Sequence, residues 1–176
     1  MSDGSTLVPL MFLAVIVFIG LMLRTISGTF ATVLIIILSI AATMGVAGWM
    51  GVYLTGPSSS APTMILTLAV ADCIHILSSM FYEMRRGADK KTAIKRSLQL
   101  NFQPIFLTSI TTAIGFLTMN FSDSPPFHDL GNMVALGVML AFILSITVFP
   151  ALLTVLPIKV LSLIHISEPT RLRRIS

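Results

Sequence analysis

The chain has 176 residues, of which 55% are hydrophobic and only 10% are charged. This proportion leaves too little polar surface for a soluble domain and is typical of a membrane protein. The single cysteine excludes an internal disulfide framework, and the formal net charge of +4 does not indicate nucleic-acid binding, because the basic residues concentrate in the segment 82–103 and at the C-terminus.

Five apolar segments are long enough to cross a bilayer, which takes about 20 residues in a helix. The predicted helices, named A to E, cover residues 7–23, 29–51, 62–81, 104–121 and 128–156. Helix A lacks the basic start of a signal peptide, so a spanning helix is favoured. The sequence therefore predicts an all-α integral membrane protein, built as a five-helix transmembrane bundle.

The positions of the basic residues predict how the bundle is oriented. Arg24 lies in the A–B turn and six Lys or Arg residues lie in the 82–103 loop, whereas the other two loops contain none. Loops rich in Lys and Arg face the cytoplasm. We therefore predict a multi-pass protein of the inner (plasma) membrane with the 82–103 loop cytoplasmic and the N-terminus outside. Within that loop, apolar residues at helical spacing predict an amphipathic surface helix over 88–102; a solvated basic loop is the alternative.

Helix C carries the chemistry that stands out in this sequence. Asp72 lies about ten residues into a span of about 20, where an ionisable side chain costs several kcal/mol unless it is paired, neutralised or facing water. His75 and Ser79 follow at helical spacing, which places them on the same side of the helix. We interpret Asp72 and His75 as a proton-exchanging pair; the alternative is a buried hydrogen bond that only holds helices together.

Helix D is predicted to begin at Pro104, a residue suited to the first turn of a helix. Thr108, Thr111 and Thr112 share one side of it and could relay protons towards helix C. Hydroxyls that bond back to their own helix are the alternative for each of them. There is no phosphate-binding Gly-rich loop, metal-ligand cluster or nucleophile–base pair, so we expect no enzyme, no metal and no cofactor.

The last sixteen residues, 161–176, depart from the pattern of the rest. The run LSLIHISEPTR resembles the translation of a transposase-type sequencing adapter, and LRRIS fits the continuation of that adapter in the same frame. A genuine basic amphipathic tail is the alternative. We expect the native domain to cover residues 1–160 and the tail to carry no function.

Several motifs together resemble one family. They are VADCIHI at 70–76, the basic loop, PIFLTSITTAIGF at 104–116, DLGNMVALG at 129–137 and FPALL at 149–153. In combination they are similar to the resistance–nodulation–division (RND) superfamily of exporters, in the branch that includes MMPL and Patched-like transporters. The likeness covers residues 7–160.

The resemblance implies a partial RND permease half. The five predicted helices correspond to helices two to six of one half, a unit similar to a sterol-sensing domain, so the first helix and the extracytoplasmic domain would precede this segment. Relatives carry proton-coupling carboxylates on the fourth helix, where Asp72 lies, and a polar patch on the fifth, where the threonines lie. Many relatives have two adjacent acidic residues, whereas Ala71 precedes Asp72 here, which leaves the proton stoichiometry open.

The function implied is a fragment of an exporter driven by the proton-motive force and acting on hydrophobic or amphiphilic substrates. Its expected partners are the lipid bilayer, a lipid-like substrate and the second half of the transporter, with assembly into a homo-oligomer left open and no nucleic acid. The alternatives are a sterol- or lipid-sensing binding module that does not pump, and a truncated fragment without activity.

Overall fold

A computed structural model of the chain describes residues 25–158 and five helical positions before them, Leu10, Leu13, Ala14, Val17 and Gly20. Predicted helix A lies mostly outside the described residues and stays a prediction, and the segment 161–176 lies outside them altogether. Residues 25–158 form five helices and two short 3-10 turns, Ser58–Ser60 and Thr118–Phe121. The helices are α1 (Ile26–Trp49), α2 (Ala61–Arg85), α3 (Lys90–Leu117), α4 (Pro125–Ile146) and α5 (Val148–Val155).

The prediction of an all-α fold is confirmed. Five spans were predicted for the whole chain, and the described part of it contains four helices of membrane-spanning length. These spans are Ile26–Trp49, Ser58–Arg85, Lys90–Phe121 and Pro125–Val155. Predicted helices B and C correspond to α1 and α2. Both helices are followed by a glycine with positive φ, Gly51 at 73° and Gly87 at 92°. A left-handed residue lets the chain turn away from a helix while the last carbonyls stay bonded, which fixes these ends.

The prediction that helix D begins at Pro104 is wrong, because α3 begins at Lys90 and continues through the proline. The predicted amphipathic helix and helix D are thus one helix. Its buried side runs unbroken past the proline, since Ile94, Ser97, Ile105 and Ser109 recur at spacings of three, four and eight residues. Packing along this stripe offsets the one backbone hydrogen bond that proline removes, an exchange that membrane helices tolerate.

Predicted helix E is also revised, since it divides into α4 and the short α5. Pro150 explains the division. It has no N–H to donate to the carbonyl of Ile146, and its ring clashes with that carbonyl. The chain bends at Thr147, whose hydroxyl donates to the carbonyl of Ile143 at 2.6 Å.

The four long helices pack so that α2 and α4 each contact both α1 and α3. Close approach depends on small residues of α4. A Cβ atom on Gly137 would overlap the side chain of Ile65 in α2 and lie 3.0 Å from Oγ1 of Thr43 in α1. Three helices therefore meet at this one glycine.

The turns lie at two opposite ends of the bundle, and one of these ends is basic. The start of α1, the α2–α3 turn and the end of α5 meet there, because Ser27 donates to the carbonyl of Pro157 at 2.7 Å and Lys90 Nζ donates to the carbonyls of Thr154 and Leu156 at 2.8 and 2.6 Å. We call this end the basic end. The α2–α3 turn is short, since only residues 86–89 separate the two helices.

Lys90 is expected to stabilise the basic end, because its ammonium group satisfies two carbonyls beyond the reach of intrahelical bonding at the end of α5. Lys90→Met should lower the free energy of unfolding by about 1 kcal/mol. Denaturant titration of the purified chain in mixed micelles measures this change. Lys91→Met is the matched control, since Lys91 is exposed and makes no side-chain hydrogen bond within residues 25–158. An equal loss in both variants would contradict this role.

Candidate functional site

Asp72 lies in the middle of α2, as the twelfth of its 25 residues. Its side chain is buried, with 8% of the residue exposed, and its neighbours on the same side, Ala69, Cys73 and Ile76, are fully buried. Within residues 25–158 no group donates a hydrogen bond to its carboxylate. A carboxylate in such surroundings costs several kcal/mol if it stays charged and unpaired. A role in packing alone therefore does not explain a carboxylate at this position.

His75 lies on a different side of α2 from Asp72, since it is exposed. Residues three apart on a helix are offset by about 60° around the axis, and the boundary between the buried and exposed sides of α2 falls within this offset. The structure does not bring the two side chains into hydrogen-bond contact. Ser79, the third residue of the predicted group, is half-buried.

The threonines of α3 are placed mainly on its exposed side. Thr108 and Thr111 are exposed, and their hydroxyls donate to backbone carbonyls of their own helix, those of Pro104 at 2.9 Å and Leu107 at 2.7 Å. Thr112 is half-buried. The structure therefore does not join these three hydroxyls to Asp72.

Two contacts fix the register between α2 and α3. Asn101 Nδ2 donates to Ser79 Oγ at 2.8 Å, and Arg96 Nη1 lies 2.9 Å from Glu83 Oε2. The helices are antiparallel. Asp72, two turns before Ser79, therefore lies level with the residues two turns after Asn101, at about position 108.

Ser109 is the buried hydroxyl at this level, with 4% of the residue exposed. Sequence reasoning missed it because the threonines drew attention to the other side of α3. The helical spacing of the residues in α3 could have indicated that Ser109 is buried. Ser97, Ile105 and Ser109 lie on one stripe, and Thr108 lies beside it.

A line of polar contacts extends along the α2–α3 interface from the basic end towards Asp72. It begins at the Glu83–Arg96 ion pair and continues with Ser97, which is fully buried and donates its hydroxyl proton to the carbonyl of Ile76. The contact between Asn101 and Ser79 is its last member, about 10 Å along the helix axis from Asp72. Burying a polar group in an apolar interface costs free energy unless the group is hydrogen-bonded, and each of these side chains has a partner across the interface.

This arrangement can take up and release a proton at a buried carboxylate. In the part of the chain that the structure describes, no group of three His, Cys, Asp or Glu residues could bind a metal ion.

Comparison with known proteins gives a family match over nearly the whole chain. The model of the MMPL family matches residues 1–174, a range that extends into the segment 161–176. MJ1562 of Methanocaldococcus jannaschii, whose name assigns it to the membrane without stating an activity, is 25% identical over 120 residues. The sulfolipid-1 exporter MmpL8 of Mycobacterium tuberculosis is 28% identical over 111 residues. No solved structure matches the chain significantly.

The chain spans only a part of these relatives. The matched region is 68% of this chain and 31% of MJ1562, and for MmpL8 it is 62% of this chain and 10% of the exporter.

Proposed function

Since this chain belongs to the MMPL family, we propose that it is part of a membrane exporter of lipids or other amphiphiles, with Asp72 carrying the proton that drives transport. The observation behind this proposal is the buried carboxylate at mid-span, which accepts no hydrogen bond from any group within residues 25–158. MmpL8 is named as the exporter of a sulfolipid, which supports a lipid-like substrate.

Protonation would act through the packing of α2. The neutral acid fits an apolar interface, whereas the carboxylate requires water or a donor. The two protonation states therefore favour different positions of α2 relative to α3, which is what a proton-driven conformational change needs. In this proposal Ser109, the buried hydroxyl of α3 that lies about level with Asp72, could follow such a movement.

The proposed relay includes four further residues only if another part of the transporter packs against them. These are His75, Thr108, Thr111 and Thr112. α2 exposes a stripe of polar side chains, which is unusual for a surface that faces lipid. Its polar members are Thr67, His75, Ser78 and Tyr82, and the small residue Ala71 lies among them. We propose that the second half of the transporter packs on this stripe and completes the relay.

The proposal extends to the place of this chain in the whole transporter. We propose that residues 1–160 are helices two to six of one permease half, with helix A as a fifth span, in the inner (plasma) membrane. The basic end would be cytoplasmic, because six Lys and Arg residues lie there. The segment 161–176 is proposed to be adapter-derived and without function.

A lipid-sensing module is the second candidate, favoured by a cavity at the opposite end of the bundle. This cavity of about 340 Å³ lies between α1 and α4 and is lined mainly by apolar side chains, among them Met50, Val52, Met133 and Leu136. It could receive part of an acyl chain without any pumping.

Transport driven by protons is expected to stop when the proton gradient is collapsed. The test uses the complete transporter in proteoliposomes and follows export of a labelled lipid after a pH jump, with and without a protonophore. A sodium gradient of equal size is the control. Export that persists without the proton gradient would contradict the coupling, and lipid binding without gradient-dependent export would favour the sensing module.

A further inference from the structure

A second cavity, of about 660 Å³, opens at the basic end where α2 turns into α3. Glu83 of α2 and Arg86 of the following turn contribute to its lining, and α3 contributes Thr92, Arg96, Gln99 and Leu100. This cavity is more than two turns of α2 away from Asp72 and has no part in the proposed proton transfer.

The acidic residues of the cavity are already satisfied. Glu83 is paired with Arg96, and the Asp89 carboxylate caps α3 by accepting from the backbone N–H of Thr92 at 3.3 Å. Hydrogen bonding with Thr92, chiefly through its side chain, lowers the pKa of Asp89. Both carboxylates therefore have partners within the protein, and within residues 25–158 neither of them forms a salt bridge with Arg86.

Arg86 keeps most of its hydrogen-bonding capacity. It is exposed, and its guanidinium carbon lies 5.5 Å from the centre of the Tyr82 ring. Within residues 25–158 its side chain makes one hydrogen bond, to the Tyr82 hydroxyl, which is long at 3.4 Å. The side chain of Arg96 is 58% exposed, so it can also turn donors towards the cavity. Five N–H donors on a guanidinium suit a phosphate group.

Along α3 the lining runs from charged Arg96 through polar Gln99 to apolar Leu100. Thr92 and Arg96 lie near the turn, and Leu100, which is 60% exposed, lies two turns further into the bundle, about 12 Å from Thr92. An amphiphile has the same order of groups, a charged head followed by an apolar chain. A soluble phosphate compound has no apolar chain that could contact Leu100.

We propose that this cavity binds the headgroup of an anionic phospholipid, with the phosphate on Arg86 and Arg96 and the first acyl carbons over Leu100. Its position where two membrane-spanning helices end places it at headgroup level. Basic residues beside a membrane span attract anionic lipids, and here the cavity provides a defined place for one. Lipid binding at this cavity does not depend on proton transfer at Asp72.

The test compares two adjacent arginines in the purified full chain. Native mass spectrometry measures the apparent affinity for phosphatidylglycerol and for phosphatidylcholine with the same acyl chains. Arg86→Gln should weaken phosphatidylglycerol binding about fivefold. Arg85→Gln removes the same charge from a residue outside the cavity lining and should change the affinity less than about twofold. The melting temperature of each variant shows that the bundle stays folded.

Three results would overturn the proposal. Equal losses in the two variants would mean that diffuse surface charge attracts the lipid, and equal affinity for phosphatidylcholine would mean that the site does not select an anion. Competition by glycerol phosphate at the same concentration as phosphatidylglycerol would assign the cavity to soluble phosphates. Selective loss in Arg86→Gln without such competition supports the lipid site.

Discussion

Asp72→Asn is expected to abolish export by the proposed transporter, while the protein remains folded in the membrane. Asparagine has nearly the shape of aspartic acid but cannot change charge, so the step that depends on protonation is lost. Stability should not fall, because the variant removes a carboxylate whose burial costs several kcal/mol. The measurement is export of labelled lipid at matched expression, with the unfolding midpoint determined in parallel.

Two controls separate coupling from folding. Asp72→Glu keeps a titratable group and should retain part of the activity. Asp123→Asn makes the same chemical change in the exposed turn before α4 and should leave export unchanged. Normal export by Asp72→Asn would refute the coupling role, and a large loss of stability in that variant would make Asp72 a structural residue.

Gly131→Ala is expected to destabilise the bundle by forcing two packed helices apart. The added Cβ would overlap the backbone carbonyl oxygen of Phe116, at the end of α3, and lie 3.0 Å from Cβ of Met119. A backbone atom cannot rotate away as the end of a side chain can, so α4 must move away from α3. Overpacking of this kind costs about 1–3 kcal/mol, measured by denaturant titration of the chain in mixed micelles.

Gly45→Ala in α1 provides the matched control, since the Cβ it would add meets no packed neighbour within 4 Å in the described part of the chain. Alanine is favoured over glycine in a helix by up to about 1 kcal/mol, so this variant should be neutral or slightly more stable. If Gly131→Ala were as stable as Gly45→Ala, the close contact between α3 and α4 would not be a determinant of the packing.

The polar residues of α2 and α3 show how far sequence can predict the site. Asp72 stands out because a charged residue in an apolar run is visible without any coordinates. The surroundings of Asp72 cannot be predicted in this way, because the side of a helix that becomes buried depends on which helices pack against it. His75, one turn from Asp72, remains exposed, and Ser109, next to Thr108, is buried.

The amino-acid sequence by itself determined the class of the protein, the cores of four spans and the end of the bundle at which the basic residues gather. These follow from local properties, because hydrophobic length and charge act residue by residue in a membrane. Tertiary structure alone decided that α3 runs through Pro104 and that the α2–α3 interface holds bonded polar pairs. Both depend on the antiparallel register of the two helices, which packing over many residues sets and no single motif encodes.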